Sequence, residues 1–237
     1  MKIFEPNFGV VELCVTYRCN VKCMNCSNLC TQAPIHGDLT PADVKVFIDD
    51  SIACNHKWGM ITIHGGEPVL NPGINAICEL LYKYKIEHNP EVVLWLLTNN
   101  SCEVVRSRVT YINDKFKIPL GISTKIGDNT GMEYVAVNDS PADSGVEHDF
   151  NCFQTANCGV CYNNLGYFGC SPMAAAARVF DYKPVAKSIG SLTRRNILES
   201  FDRHCQHCGF SSPQRPRVKE QITSQTWKSS LERYNAR

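Results

Sequence analysis

Apolar and polar positions fall into alternating blocks through the first half of the chain. "GVVELCVT" (9–16) is a short, valine-rich apolar run and predicts a buried strand. "LTPADVKVFIDDSIACN" (39–55) predicts a helix, with Thr40 as N-cap, Pro41 at the first helical position and Asp43 at the positive end. "GMITIHGG" (59–66) reads as a second strand ending in glycines, and "PGINAICELLYKYKIEH" (72–88) has helical apolar spacing. "EVVLWLLTNN" (91–100) reads as a strand with a polar end. "CEVVRSRVTYIND" (102–114) reads as a helix despite its β-branched residues, and "KIPLGISTK" (117–125) as a fourth strand.

Strands alternating with helices imply βαβ units and a parallel sheet, so the fold class is α/β. Near-continuous apolar strands fit parallel strands buried on both faces. Ligands in such folds bind outside the carboxyl ends of the strands. Cys19 to Cys26, Gly65 to Pro68, Thr98 to Ser101, and Ser123 with Lys125 all fall at those ends. After residue 126 the alternation fades into a turn-rich polar stretch, with one strand expected at 133–138. Residues 152–180 read as a hairpin about Asn-Asn-Leu-Gly followed by an alanine-rich helix, and 191–210 as a helix running into C-x-x-C. The polar tail from 211 is expected to be a peripheral helix or disordered.

The charge balance excludes some partners. With 24 basic and 23 acidic residues the net charge is +1, so nothing points to nucleic acid or a membrane surface. No apolar run approaches the roughly 18 residues of a membrane span. The N-terminus has no signal-peptide pattern, and a cytoplasmic location is expected. The outlier is cysteine, at 14 residues. Their clustering fits a cytosolic metal-binding protein better than a disulfide scaffold.

Cys19, Cys23 and Cys26 form C-x-x-x-C-x-x-C directly after the first strand. Zinc sites usually pair their ligands twice, whereas three close thiolates can hold three irons of a cubane and leave the fourth open. This spacing resembles that of the radical S-adenosylmethionine (SAM) superfamily, whose open iron takes the amino and carboxylate groups of SAM. "HGGEP" (64–68) resembles that family's Gly-Gly-Glu-Pro motif. The resemblance implies a partial (β/α) TIM-like barrel and a [4Fe–4S] cluster bound to SAM. Gly65, Gly66 and Pro68 would shape the SAM site, and Glu67 would accept from the SAM ammonium. Thr98, Asn99, Ser123 and Lys125 would contact ribose and carboxylate. The position before the third cysteine, usually aromatic and near the adenine, is here Asn25. Cys14 reads as a core thiol, Cys54, Cys78 and Cys102 as structural, and His64 as a strand-end hydrogen-bonding residue.

The later cysteines are similar to a twitch domain, a shortened SPASM domain that holds one auxiliary [4Fe–4S] cluster. Cys170, Cys205 and Cys208 match that pattern. The remaining ligand is Cys152 or Cys158, with Cys161 ranked behind both. A structural zinc site from the same thiolates is the alternative. The expected division is a barrel core over 1–149, the auxiliary-cluster hairpin and helix over 150–210, and the tail over 211–237.

The resemblance implies an oxidoreductase. A reduced cluster would split SAM to methionine and a 5′-deoxyadenosyl radical that abstracts substrate hydrogen, and the auxiliary cluster would accept the remaining electron. A small polar substrate, a sugar or aminocyclitol, is the leading expectation, with a flavodoxin- or ferredoxin-type electron donor. Three alternatives stay open. One is peptide crosslinking, although the 18 residues before Cys19 leave no room for a peptide-binding domain. Another is epimerisation, with Cys161 or Cys30 returning hydrogen. The third is a zinc-stabilised binding module. Substrate contacts are expected within 126–150.

Overall fold

A computed structural model describes residues 5–34, 37–123, 134–147, 152–213 and 217–237. Its frame is three successive βα units and a fourth strand: β1 (Val10–Thr16), α1 (Pro41–Ala53), β2 (Met60–Gly65), α2 (Ile74–Glu87), β3 (Val93–Thr98), α3 (Glu103–Phe116) and β4 (Leu120–Ile122). After β5 (Tyr134–Val135) come the hairpin strands β6 (Val160–Asn163) and β7 (Gly166–Phe168). Then follow α4 (Ser171–Phe180), α5 (Arg194–His204), β8 (Arg217–Val218) and α6 (Gln225–Asn235).

Local chemistry sets the helix starts. Thr40 caps α1 in a full capping box, its hydroxyl accepting from Asp43 N while the Asp43 carboxylate accepts from Thr40 N at 2.7 Å. α3 ends at Lys117 in the left-handed region, φ 52°, a common helix stop.

The main sheet runs β4-β3-β2-β1-β6-β7, parallel from β4 through β6, with β7 antiparallel at the edge. This is the mixed α/β, partial TIM-like architecture expected. The hairpin extends the barrel sheet itself, because β6 pairs in parallel with β1, Val11 opposite Val160. One face of β1 and β2, with Val11, Leu13, Val15, Ile61 and Ile63 fully buried, packs under the helices. The expectation that every strand is buried on both faces fails at β3. Leu94 and Leu96 are buried, while Val93, Trp95 and Leu97 are 37–40% exposed. An incomplete barrel leaves its inner face open where no further strand among the described residues closes it.

The tail is not peripheral, which corrects the expectation. Trp227 is fully buried, Tyr234 nearly so, and the Trp227 ring meets Phe180 of α4 edge-on at 4.7 Å. Val218 of β8 pairs with Tyr134 of β5. Among the described residues no helix is long and apolar enough to cross a membrane.

Candidate iron–sulfur centres

The loop after β1 carries the first cysteine set, and hydrogen bonds within it and from two other strand ends fix it. Thr16 Oγ1 donates to Asp38 at 2.6 Å, and Asp38 also takes Arg18 Nε at 2.8 Å. Asn99, after β3, donates from Nδ2 to Asn20 Oδ1 at 2.9 Å, and Asn20 donates to Ser101 Oγ at 2.8 Å. The end of β2 lies directly against the loop. Gly66 N donates to Thr16 O at 2.9 Å and Glu67 N to Arg18 O at 2.8 Å. A Cβ on Gly65, φ 155°, would lie 2.1 Å from Thr16 O, and one on Gly66 would lie 2.2 Å from Arg18 O. The two glycines are therefore required first by the cysteine loop's own backbone.

These strand ends enclose a cavity of about 220 Å³ lined by Cys19, Cys23, Cys26 and Cys30 together with Gly65, Gly66, Thr98, Asn99 and Ser123. Lys125 lies outside the described residues. Glu67 does not line the cavity. It is fully buried, and its carboxylate accepts from Thr98 Oγ1 at 3.0 Å and Asn99 N at 2.8 Å. Burial raises its pKa against those hydrogen bonds. The Glu67 carboxylate thereby ties the ends of β2 and β3 together. Pro68 opens the short 3₁₀ turn that follows.

Asn25 is likewise committed. Its side chain donates to Glu220 O at 2.7 Å and accepts from Gln221 Nε2 and Ile222 N, both at 3.1 Å. Its backbone, at φ 52°, also donates to Gln221 Oε1 at 2.9 Å. Asn25 lines the cavity while its side-chain polar groups are bonded to the tail.

A second, smaller cavity of about 30 Å³ is lined by Cys152, Cys170, Cys205 and Cys208, with His204, His207, Tyr182 and Trp227 around them. Cys170 is the N-cap of α4, and Cys205 begins the 3₁₀ turn after α5. Of the two residues expected to complete this set, Cys152 reaches the cavity, while Cys158 lies outside its lining beside Glu12. Cys161 is buried within β6. Phe210 lines both cavities. A Cβ on the neighbouring Gly209 would lie 1.9 Å from Ala136 O, which locks the Phe210 loop to the segment after β5.

The donor chemistry fits iron–sulfur groups. Desolvation raises the Cys19 thiol to about 11 and Cys208 to about 12, with Cys170 and Cys205 also pushed far up. Thiols in such surroundings become ligands only when a cationic centre stabilises the thiolate. Among the described residues no three His, Cys, Asp or Glu side chains are drawn together as a single metal ion requires. A tetrahedral zinc site needs four donors about 2.3 Å from one point, whereas a cubane gives each thiolate its own iron. None of the 14 cysteines is in a disulfide. Cys14 and Cys78 are buried as expected of core thiols. Cys54 and Cys102, expected to be structural, are exposed at the C-cap of α1 and the N-cap of α3. His64 is buried, its pKa lowered to about 4 by desolvation, with Nε2 3.5 Å from Ser171 Oγ.

Residues 8–118 match the family model of a 4Fe–4S single cluster domain. That span runs from β1 past the end of α3, so it contains the first cysteine set and none of the second. No curated protein sequence matches the chain. Among solved structures, the crystal structure of BtrN in complex with AdoMet and 2-DOIA is similar over 92% of this chain and 98% of that one. The TM-score is 0.52 and the identity 17%, a likeness of fold.

Sequence reasoning passed over several residues that build the site. Arg178 of α4 donates to Asn28 O and Ala33 O, each at 2.9 Å, with its guanidinium 3.4 Å from the Tyr17 ring centroid. Ser171 Oγ donates to Asn28 Oδ1 at 3.1 Å, and Asn28 Nδ2 to Gly65 O at 2.7 Å. These contacts join residues as many as 150 positions apart and leave no local mark. For α6 a signal exists: Trp227, Ser230, Leu231 and Tyr234 fall at i, i+3, i+4 and i+7.

Proposed function

We propose that the chain is a radical SAM oxidoreductase with two [4Fe–4S] clusters, acting on a small polar substrate of the sugar or aminocyclitol type. The observation that carries this reading is the arrangement of two separate cysteine sets, each lining its own cavity, with Phe210 in the wall of both. The larger cavity is open beyond its thiols and bounded by the ends of β1 to β4, where α/β barrels bind their ligands.

Cys19, Cys23 and Cys26 would hold the first cluster, and Cys152, Cys170, Cys205 and Cys208 the second. With SAM bound, the first cluster would supply the one electron needed to break the carbon–sulfur bond, giving methionine and a 5′-deoxyadenosyl radical. The chain's own residues do the rest. The Gly65 and Gly66 backbone lets the β2 end lie close to the cysteine loop. Thr98, Asn99 and Ser123 offer polar groups to SAM. Leu97, Val135 and Phe210 form apolar walls that keep water and stray hydrogen donors away from the radical. The AdoMet and 2-DOIA of the BtrN structure support both the cofactor and the substrate class. The absence of disulfides among the 14 cysteines suits a reducing, cytoplasmic setting and a flavodoxin- or ferredoxin-type donor.

The test is anaerobic reconstitution followed by elemental analysis. About eight iron and eight sulfide per chain are expected for two cubanes. Incubation with SAM and dithionite should then give 5′-deoxyadenosine above a Cys19→Ala control. Zinc with little iron, or no 5′-deoxyadenosine above the control, would overturn the reading.

A further inference from the structure

The cavity at the end of β1 holds one thiol more than an open cubane uses. Cys30 lines it beside Cys19, Cys23 and Cys26, and its thiol donates to Asn28 O at 3.9 Å. The loop's own construction holds it there. Leu29, between them, is fully buried at φ 54°, and its amide donates to Cys26 O at 2.9 Å. Ala33 N donates to Leu29 O at 2.8 Å. Arg178 then grips the carbonyls of Asn28 and Ala33, on either side of Cys30. A core thiol would face the sheet. This one is fixed from behind and lines the same cavity as the other three.

We infer that Cys30 is an exchangeable fourth ligand, capping the open iron of the first cluster when SAM is absent and leaving when SAM binds. This rests on the proposed radical SAM reading. The exchange involves no redox change. The Fe–Sγ bond of Cys30 breaks with its electron pair on sulfur, and the thiolate takes up the proton that the SAM ammonium releases. The amino nitrogen and carboxylate of SAM then fill the iron. Such a cap would protect an iron that otherwise meets solvent.

The experiment compares anaerobically reconstituted wild-type protein with Cys30→Ala. Because Cys30 does not line the second cavity, any difference between their dithionite-reduced EPR spectra without SAM arises at the first cluster. The spectra are expected to differ without SAM and to converge when SAM is saturating. Titration followed by EPR should show tighter SAM binding in the variant, by about tenfold if the wild-type iron is capped nine-tenths of the time. Mild ferricyanide oxidation should convert the variant to a [3Fe–4S] form sooner. Should Cys30→Ala fail to retain a cluster, Cys30→Ser takes its place, with circular dichroism checking the fold. Identical SAM-free spectra and equal SAM affinities would overturn the cap. A variant that responds to SAM beside a wild type that does not would make Cys30 a permanent ligand and overturn the exchange. If neither responds to SAM, the radical reading fails by itself, and the SAM-free comparison still decides whether Cys30 is a ligand.

Discussion

Arg178 makes a quantitative prediction, because one side chain of α4 holds the loop that carries the first cysteine set. Its guanidinium donates two charge-assisted hydrogen bonds, to Asn28 O and Ala33 O, and stacks on Tyr17 at 3.4 Å. A hydrogen bond involving a charged group contributes about 1.5–3 kcal/mol net, and a desolvated cation–π contact about 2 kcal/mol. The three share one group and do not add fully, so we take about 4 kcal/mol for the clamp. Arg178→Met keeps the stem and removes the fork, leaving two carbonyls without this donor. The loss should fall on residues 26–33 first, since those amides depend on local contacts such as Leu29 N to Cys26 O. Native-state hydrogen exchange reads this directly. About 4 kcal/mol corresponds to a fall in protection of nearly three orders of magnitude there, with β1 to β3 changing far less. Arg178→Lys, a point charge without the fork, should fall between the two. Protection within threefold of wild type in Arg178→Met would refute the clamp.

Four further predictions follow from other parts of the fold. Glu12 on β1 has one carboxylate oxygen buried without a hydrogen-bond partner, and desolvation raises its pKa to about 8 from 4.5. The folded chain therefore keeps a proton that the unfolded chain has released. Stability in the metal-free protein should fall as pH rises from about 5 to 8, by about 3 kcal/mol after discounting the half-buried side chain. Glu12→Gln should lose that decline in urea titrations across the same window, and an unchanged slope would count against it. Asn25→Ala removes three hydrogen bonds to residues 220–222, and should cost about 2 kcal/mol and expose the tail to limited proteolysis. Cys152→Ser should lower bound iron by about half while Cys158→Ser should not, because only Cys152 reaches the second cavity. Trp227 lines that cavity, so loading iron should quench its emission, and the quenching should be absent in Cys205→Ser.

What the sequence made legible was short-range. The α1 start was readable because Thr40, Pro41 and Asp43 make their contacts within four residues. The first cysteine set was readable because one loop carries its thiols to one cavity, at a spacing visible in the sequence. The choice between Cys152 and Cys158 was not, since both lie near the hairpin and only the folded turn at Gln154–Cys158 separates them. Glu67 was identified as part of the site, but its role was assigned by motif. The structure shows two donors at the end of β3, Thr98 Oγ1 and Asn99 N, on a carboxylate that the motif alone aims at a ligand.

The largest misreading concerned the tail, and its cause is physical. A polar composition suggests solvation only if the few apolar residues lie scattered, and in α6 they share one face. That face packs Trp227 against the second cavity, and Trp227 Nε1 donates to His207 O at 2.6 Å. A few residues upstream, the same segment grips Asn25 in the first cavity. Arg178 and Ser171, on the helix that begins at Cys170, hold the other side of the same loop at Asn28. The C-terminal third therefore does more than carry a second set of thiols. It forms two of the supports that fix where Cys26 and Cys30 sit. Any change that loosens α4 or the tail should be felt at the first cysteine set even when every one of its own residues is intact.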